Sequence, residues 1–281
     1  MNIVFLDEGT ISLNGDMDFS AVEALGSYTS FEASSGEEAA RHCVGADVVI
    51  TNKVPITAEL LERCPSIKYV AVIATGYNNV DLRAARERGV DVSNVFGYGR
   101  YAVPQHAFAL LLNLTGQVWR YAADVRNGDW ASAGSFTLLR YPTWELAGKT
   151  LGIVGFGAIG RGSARIAEGF GMKVLPYDAF PFEYPPYENT DFGELLERSD
   201  AITVHAPLTE ETRNLFDTAA FRRMRSHALL VNTARGGIIN EADLLLALRN
   251  GEIGGAGLDV LETEPPVNNP LLAADLPNLI V

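Results

Sequence analysis

The sequence has few cysteines and histidines and no long uninterrupted apolar run. Only 2 of its 281 residues are cysteines, and Cys43 and Cys64 stand far apart, outside any Cys-x-x-Cys pattern. We therefore expect two reduced thiols in a cytoplasmic protein and no metal site. No uninterrupted apolar run approaches the roughly 20 residues of a membrane-spanning helix. The opening MNIVFLDEGT also lacks the basic start of a signal peptide.

Basic residues are scarce as well. The chain has 22 Lys and Arg against 35 Asp and Glu, which gives a formal net charge of −13. A surface this acidic repels nucleic acid and anionic membranes, so we expect neither as a partner. The one basic cluster, RRMR at 222–225, ends a predicted helix, where positive charge complements the helix dipole.

The chain is rich in alternating β-branched runs and helical stretches. In residues 1–98 the runs NIVFL, DVVIT, IKYVAVI and VDVSNV are typical of buried parallel strands, and TAELLERC between them predicts a helix with Thr57 as its N-cap. From Lys149 the strand pattern resumes in TLGIVG, KVLPYD, AITVHA, ALLVNTA, GGAGLDV and LIV. This alternation predicts an α/β fold of two domains, 1–98 and 99–281, each with a parallel sheet.

The segment between the two strand series is unusual in composition. YAVPQHAFALLLNLT is apolar on nearly every face and predicts a buried helix, with Pro104 in its first turn. The following WRYAADVRNGDWASAG is weakly periodic and is interpreted as a loop. Its Trp119 and Trp130 either pack on their own domain or reach a partner subunit.

A glycine-rich turn follows the first strand of the second series. In GIVGFGAIG, Gly155, Gly157 and Gly160 form G-x-G-x-x-G between a predicted strand and a predicted helix. Gly155 permits the tight turn, Gly157 lets the backbone approach a pyrophosphate, and Gly160 lets helix and strand pack closely. The helix start at Ala158 and Ile159 would face the phosphate charge. The alternative is a tight turn without a ligand.

An acidic residue ends the next strand of this series. Asp178, in PYDAF, follows Gly160 by eighteen residues, and no arginine comes directly after it. A carboxylate at this position accepts hydrogen bonds from an adenosine ribose and repels a 2′-phosphate. The sequence therefore predicts NAD, rather than NADP, as the cofactor.

Five further motifs resemble those of the D-isomer-specific 2-hydroxyacid dehydrogenases. In chain order they are ATGYNNVD, AVPQHAFALLL, HAPLTEETRNL, VNTARGGIIN and GAGLDVLETEPP. ATGYNNVD and the Gln of VPQH are most similar to glycerate dehydrogenases, also called hydroxypyruvate reductases. The resemblance implies a flavodoxin-like substrate domain over 1–98 and a Rossmann NAD-binding domain over 99–281. It also implies reversible hydride transfer between NADH and a small 2-keto acid, first of all hydroxypyruvate or glyoxylate.

The resemblance further implies roles for individual residues. Arg235 would bind the substrate carboxylate and C2 oxygen, because a guanidinium fork suits a planar carboxylate. The backbone N–H groups of Thr75 and Gly76 would form a second carboxylate clamp. Glu264 would hydrogen-bond the acid/base histidine, and Asp259 would hold the nicotinamide carboxamide. The remaining cofactor-lining residues would be His205, Pro207, Thr212 and Thr233. Surface pairing of Arg235, and turn or capping roles for the others, are the structural alternatives.

The acid/base histidine itself does not follow the ETEPP motif, where the family carries it. The four histidines are His42, His106, His205 and His227. In the family a strand resembling the final NLIV runs directly into Thr-Pro-His. We therefore expect the natural chain to continue past Val281 with such a triplet, rather than to lack the histidine. A protein ending at Val281 is expected to bind NAD poorly or to be nearly inactive.

Two other functions stay open at this point. The substrate could be another 2-keto acid such as pyruvate, since loop side chains around Tyr77, Tyr98 and Tyr101 would set the choice. The protein could also be an NAD-sensing interaction protein, like the transcriptional corepressors that resemble this family. The family resemblance also implies a homodimer through the region around Trp119 and Trp130.

Overall fold

The computed structural model describes all residues, Met1–Val281, and divides into two compact units, Met1–Tyr98 and Gly99–Val281. We call these the first unit and the second unit. Each is built on one parallel sheet with helices between successive strands, which confirms the predicted α/β fold class. No helix has both the length and the apolar character needed to cross a membrane.

The first unit contains five strands and four α-helices. Its strands are β1 (Asn2–Phe5), β2 (Ser27–Ser30), β3 (Val48–Thr51), β4 (Tyr69–Val72) and β5 (Asp91–Asn94). Its helices are α1 (Ser20–Glu23), α2 (Gly36–His42), α3 (Ala58–Arg63) and α4 (Leu82–Glu87). A short 3-10 turn lies at Glu8–Thr10. The hydroxyl of Thr57 accepts the N–H of Leu60 at 3.2 Å, so the predicted N-cap of α3 is confirmed.

The first sheet has the order β2-β1-β3-β4-β5, with all strands parallel. This is the flavodoxin-like order. Its interior is apolar, with Val49 and Val70 completely buried. Strand β2 is not predicted by the hydrophobic pattern, because SYTS is a short, largely exposed edge strand without an apolar face.

A buried carboxylate closes the carboxyl edge of the first sheet. The side chain of Asp7, after β1, accepts hydrogen bonds from the N–H groups of Asn52, Lys53 and Val54 at 2.8, 2.6 and 3.2 Å. These residues follow β3, and the strand order reverses between β1 and β3, where α/β sheets open a ligand crevice. Here the carboxylate of Asp7 already occupies the backbone donors that such a crevice would offer to an anion.

The second unit contains six strands and eight α-helices. Its strands are β6 (Thr150–Val154), β7 (Lys173–Tyr177), β8 (Ala201–Val204), β9 (Leu229–Asn232), β10 (Gly255–Leu258) and β11 (Leu279–Ile280). Its helices are α5 (Gly99–Gly116), α6 (Val118–Arg126), α7 (Asp129–Ser132), α8 (Ala158–Gly169), α9 (Phe192–Arg198), α10 (Thr218–Arg223), α11 (Glu241–Asn250) and α12 (Pro270–Ala273). A 3-10 turn lies at Gly236–Ile238.

The second sheet has the order β11-β10-β9-β8-β6-β7 and is also parallel throughout. Pro176 lies within β7, which accommodates a residue without an N–H because β7 is an edge strand. The chain passes from β6 to β7 on one side and then returns to β8 on the other. The crevice that such a reversal opens therefore lies between the carboxyl ends of β6 and β8.

The position predicted for Pro104 is wrong. Pro104 is the sixth of the 18 residues of α5 rather than a residue of its first turn. A proline there leaves the carbonyl of Arg100 without its usual helical donor. A Cβ atom at Gly162 of α8 would lie 2.7 Å from that carbonyl oxygen and 2.8 Å from Cγ of Pro104. The absence of a side chain at Gly162 therefore lets α8 pack directly over the interrupted turn.

The loop predicted for residues 119–134 is also wrong, because the segment forms α6 and α7. Gln117 adopts a left-handed conformation with φ of 50° and separates α6 from α5. Val118, Ala122 and Val125 recur at helical spacing and share one surface of α6. The periodicity was obscured by Trp119 and Arg120, which place bulky side chains on the other faces.

Asp200 joins the amino ends of β6, β8 and β9 at one edge of the second sheet through hydrogen bonds. One carboxylate oxygen accepts Nη1 of Arg225 at 2.7 Å and lies 2.9 Å from Nε2 of His227, and the other accepts the N–H of Thr150 at 2.8 Å. Burial raises the pKa of Asp200, but the hydrogen bonds from His227, Thr150 and Arg225 outweigh it and hold this pKa below its usual value.

Replacing Asp200 by asparagine is expected to lower the free energy of unfolding of the second unit by about 2–3 kcal/mol, because Thr150, Arg225 and His227 lose a buried, charged acceptor. Urea titration followed by tryptophan fluorescence measures it, since all three tryptophans lie in the second unit. Glu197→Gln is the control, as the ion pair of Glu197 with Arg223 is exposed. Equal losses of unfolding free energy in the two variants would show that the burial of Asp200 does not strengthen its interactions.

Candidate active site

The glycine-rich turn lies directly after β6, at the strand reversal. Gly155 has φ of +90°, and a Cβ atom there would lie 2.7 Å from the N atom of Ala206, in the loop after β8. A Cβ atom at Gly160 would overlap the carbonyl oxygen of Gly155, so Gly160 lets α8 pack onto the turn. A Cβ atom at Gly157 would meet no atom within 4 Å. The backbone of Gly157 therefore faces open space at the start of α8.

Asp178 stands beside this turn, at the carboxyl end of β7. Its two carboxylate oxygens accept the N–H groups of Phe156 and Phe180 at 2.8 and 3.0 Å. Asn189 exchanges two further hydrogen bonds with the backbone of Asp178, at 2.8 and 2.9 Å. Asp178 thus orients the glycine-rich turn, and since a carboxylate has about four lone-pair sites, acceptor capacity remains for a ligand.

His205 follows β8 on the other side of the reversal. Its Nε2 lies 2.8 Å from Oγ of Ser163, a completely buried residue of α8. Its Nδ1 is buried and has no partner within the chain. Burial lowers the pKa of His205 to about 4, so the ring is neutral at physiological pH.

The low pKa of His205 is expected to make the second unit less stable in mild acid. A histidine in the unfolded chain has a pKa of about 6.5. Below that pH the unfolded chain therefore binds a proton at this position that the folded chain does not bind. The stabilisation is complete above pH 6.5 and falls as the pH drops toward 4, reaching a loss of at most about 2 kcal/mol at pH 5. Urea titrations at pH 7 and 5 should show this loss in the parent and a smaller one in His205→Gln. An unchanged loss in the variant would assign the acid sensitivity to other groups.

The turn after β9 presents Arg235. Asn232, completely buried, donates from Nδ2 to the carbonyl oxygen of Arg235 at 2.8 Å and accepts the N–H of Ala234 at 3.0 Å. This clamp turns the chain so that the side chain of Arg235 is exposed, with Nη1 donating only to the carbonyl oxygen of Ala234. Thr233 lies just below the surface, and its hydroxyl has no partner.

Asp259 and Glu264 follow β10, the neighbour of β9. Glu264 accepts the N–H of Leu261 at 3.0 Å through one carboxylate oxygen and is otherwise exposed. Asp259 and Glu264 line one cavity of about 430 Å³, together with His106 of α5. A Cβ atom at Gly236 would overlap the backbone carbonyl of Leu261. The turn that carries Arg235 therefore packs directly on the loop that carries Glu264.

The remaining predicted residues occupy loops at carboxyl ends of strands. The hydroxyl of Thr212 donates to the carbonyl oxygen of Pro207 at 2.7 Å, which folds the loop after β8. In the first unit, Thr75 and Gly76 follow β4, and neither backbone N–H donates a hydrogen bond within the chain. These two N–H groups are therefore available to an acceptor.

The residues of the second sheet fit a dinucleotide. The open space at Gly157 and the uncapped N-terminus of α8 suit a pyrophosphate, because helix N-termini bind anions. Buried polar atoms without partners, Nδ1 of His205 and Oγ1 of Thr233, lie at the carboxyl ends of β8 and β9. Buried polar groups normally have hydrogen-bond partners, so their position marks this edge as a ligand site.

Three residues of this edge were not singled out as site residues by the sequence analysis. Asn232 and Ser163 hold Arg235 and His205 in place, and a polar residue inside VNTARGG or on a glycine-rich helix is the only sequence signal of such a role. His106 lies 3.2 Å from Asp259. No local pattern indicates that contact, because α5 and β10 stand far apart in the sequence.

Comparison with known proteins agrees with this geometry. The family model of the D-isomer specific 2-hydroxyacid dehydrogenase, NAD binding domain, matches residues 108–281. The glycerate dehydrogenase of Methylorubrum extorquens is 43% identical over 256 residues, which are 90% of this chain and 80% of the relative. The hydroxypyruvate reductase of Blautia hydrogenotrophica is 41% identical over 98% of this chain and 87% of the relative.

Solved structures share the whole fold. The crystal structure of the TT0316 protein from Thermus thermophilus superposes with a TM-score of 0.88 at 33% identity, covering 100% of this chain and 88% of that one. The matching family model spans most of the chain and includes the glycine-rich turn, Asp178, Arg235, Asp259 and Glu264. The chain therefore belongs to the D-isomer-specific 2-hydroxyacid dehydrogenase family and contains its NAD-binding domain.

Proposed function

We propose that the protein is an NAD-dependent D-2-hydroxyacid dehydrogenase that reduces hydroxypyruvate or glyoxylate. The observation that carries the proposal is the gathering of Arg235, Asp259 and Glu264 at the carboxyl ends of the neighbouring strands β9 and β10, beside a cavity of about 430 Å³. The names of the relatives from Methylorubrum extorquens and Blautia hydrogenotrophica support the choice of keto acid. In this proposal the second unit binds NAD and the first unit is the substrate domain.

Arg235 is proposed to bind and polarise the substrate. Its guanidinium has no acidic partner in the chain, and Nη1 alone is engaged, with the carbonyl oxygen of Ala234. The other N–H groups can donate to the substrate carboxylate and to the C2 oxygen, where negative charge develops as the carbonyl is reduced. In the first unit, the free N–H groups of Thr75 and Gly76 are proposed to bind a carboxylate.

Glu264 is proposed to accept a hydrogen bond from the proton-transferring histidine that the family resemblance implies. One oxygen of Glu264 is fixed by the N–H of Leu261, and its other oxygen is available to a ring N–H. Such a carboxylate orients an imidazole and favours its protonated form, which then donates to the C2 oxygen. Bound NADH would supply the hydride to C2 in the reduction, and NAD⁺ would accept it in the reverse reaction.

The adenosine end of NAD is proposed to lie against Asp178. Both oxygens of Asp178 are held by backbone N–H groups, so its charge cannot swing away from a 2′-phosphate. We therefore propose that the protein prefers NAD to NADP. We also place the protein in the cytoplasm, because both cysteines are buried free thiols.

A panel of keto acids tests the proposed function. Protein produced from its complete gene would be assayed with NADH and NADPH against hydroxypyruvate, glyoxylate, pyruvate and a longer apolar keto acid. The highest kcat/KM is expected with NADH and hydroxypyruvate or glyoxylate. A higher kcat/KM for pyruvate or the apolar acid would contradict the proposed substrate. Absence of turnover with every acid would contradict the proposal that the protein is an enzyme.

We further propose that the protein forms a homodimer through α6, α7 and the segment that follows them. Phe136 and Leu139 are 91% and 87% exposed, and Trp119 and Trp130 are each exposed by more than two-fifths. So many exposed large apolar side chains on one stretch of a folded chain are typical of an interface between subunits.

Replacing both Phe136 and Leu139 by serine is expected to convert the dimer to a monomer, because the interface loses two of its apolar anchors. Sedimentation equilibrium measures the mass of parent and variant at equal concentration. Phe180→Ser is the matched control, since Phe180 is 79% exposed in a different loop of the same unit. A dimer that survives in the double variant would place the interface elsewhere.

A further inference from the structure

His106 reaches the candidate site because a glycine of β10 lets α5 approach the sheet. A Cβ atom at Gly257 would lie 3.0 Å from Cβ of Leu110 in α5, so a larger residue at this position would push the helix away from the strand. His106 lies one helical turn before Leu110, on the same face of α5. The close packing of α5 on β10 therefore brings His106 to the carboxyl end of that strand, where Asp259 begins the next loop.

The contact between His106 and Asp259 leaves part of the carboxylate free. Nε2 of His106 lies 3.2 Å from Oδ1 of Asp259, and both side chains are about half exposed. No other side chain in the chain lies within ion-pair or hydrogen-bond distance of this carboxylate, and Oδ2 has no partner at all. Apart from His106, the titratable side chains that line the shared cavity are those of Asp259 and Glu264.

We propose that His106 is a positioning residue for the nicotinamide end of the cofactor. A half-exposed aspartate has free rotation about two side-chain bonds, and the contact at Oδ1 restricts it. Oδ2 is then held toward the cavity, where it can accept the N–H of the nicotinamide carboxamide. This inference rests on the proposed function of Asp259 and assigns no part in proton transfer to His106.

The contribution of His106 should depend on the carboxamide. In 3-acetylpyridine adenine dinucleotide a methyl ketone replaces the carboxamide, so the N–H group that Asp259 would accept is missing. If His106 acts only by orienting Asp259, its replacement should weaken binding of NAD and not binding of this analogue. If His106 merely supports α5, its replacement should weaken binding of both ligands equally.

Calorimetric titration of protein produced from its complete gene, with NAD and with the analogue, tests the inference. His106→Phe is expected to weaken NAD binding by about tenfold, the effect of one lost hydrogen bond, and to change analogue binding by less than about twofold. His106→Gln, which keeps a donor, should recover most of the affinity for NAD. Equal weakening of both ligands by His106→Phe, or no weakening of either, would overturn the inference.

Asp259→Asn separates failure of this inference from failure of the proposed function. If Asp259→Asn weakens binding of NAD more than that of the analogue while His106→Phe does not, the role of Asp259 stands and that of His106 is wrong. If Asp259→Asn affects the two ligands equally, the proposed role of Asp259 is wrong, and the inference on His106 falls with it.

Discussion

Replacing Arg235 by glutamine is expected to lower kcat/KM for the keto acid by about 1,000-fold or more. The guanidinium would donate both to the substrate carboxylate and to the C2 oxygen, and loss of one donor to a developing oxyanion alone costs about 100- to 1,000-fold. Glutamine keeps the polarity and much of the length but lacks the charge and the paired donors. Lysine restores only the charge, so Arg235→Lys should recover little of the loss.

Steady-state kinetics with NADH measures this effect, and calorimetric titration with NADH shows whether the cofactor site survives. Arg249→Gln is the matched control, since Arg249 lies in the last turn of α11, exposed and without an ion pair. The control should keep the parent kcat/KM, and both variants should keep the parent affinity for NADH. A loss of less than about tenfold in Arg235→Gln would contradict the proposed role.

Replacing Gly236 by alanine is expected to lower the free energy of unfolding of the second unit by at least about 3 kcal/mol, whereas Gly237→Ala should change it little. A Cβ atom at Gly236 would overlap the carbonyl group of Leu261, and backbone cannot move aside cheaply. A Cβ atom at Gly237 would meet Nη1 of Arg213 at 3.3 Å, and this end of a flexible side chain can shift.

Urea titration followed by tryptophan fluorescence measures both variants. The two glycines are neighbours in the same 3-10 turn, and neither has a positive φ, so the comparison isolates the steric effect. Gly236→Ala should also lower kcat/KM, because the displaced Leu261 carries the hydrogen bond that fixes Glu264. Equal stability of the two alanine variants would show that the turn and the loop after β10 move apart freely.

The glycine-rich turn could be predicted from the sequence because its constraints are local. The structure has the three properties that the spacing of these glycines implies. The turn is tight at Gly155, the backbone is open to a ligand at Gly157, and the helix packs closely at Gly160. Arg235 and Glu264 were identified by resemblance, and the structure adds why they are presented as they are: a buried Asn232 behind the first and the N–H of Leu261 behind the second.

Contacts between distant parts of the chain could not be predicted. The approach of His106 to Asp259 depends on how closely α5 packs on β10, and only a three-dimensional arrangement reveals that Gly257 allows it. Pro104 was misplaced for a similar reason, since its tolerance depends on Gly162 of another helix. Strand β2 was missed because an exposed edge strand needs no apolar alternation.

The burial of both cysteines in the first unit has a consequence for how the folding of the two units can be observed. Cys43 and Cys64 are 0% and 2% exposed, and burial, with the neighbouring Cys64 thiol, raises the pKa of Cys43 to about 12. A thiol reagent can therefore react only when the first unit opens, so its rate under native conditions reports the opening free energy of that unit. Tryptophan emission reports the second unit alone. The unmodified chain thus carries a separate probe in each unit. If the unfolding free energies from the two probes agree, the two units unfold as one cooperative body, and if they differ, the units unfold separately.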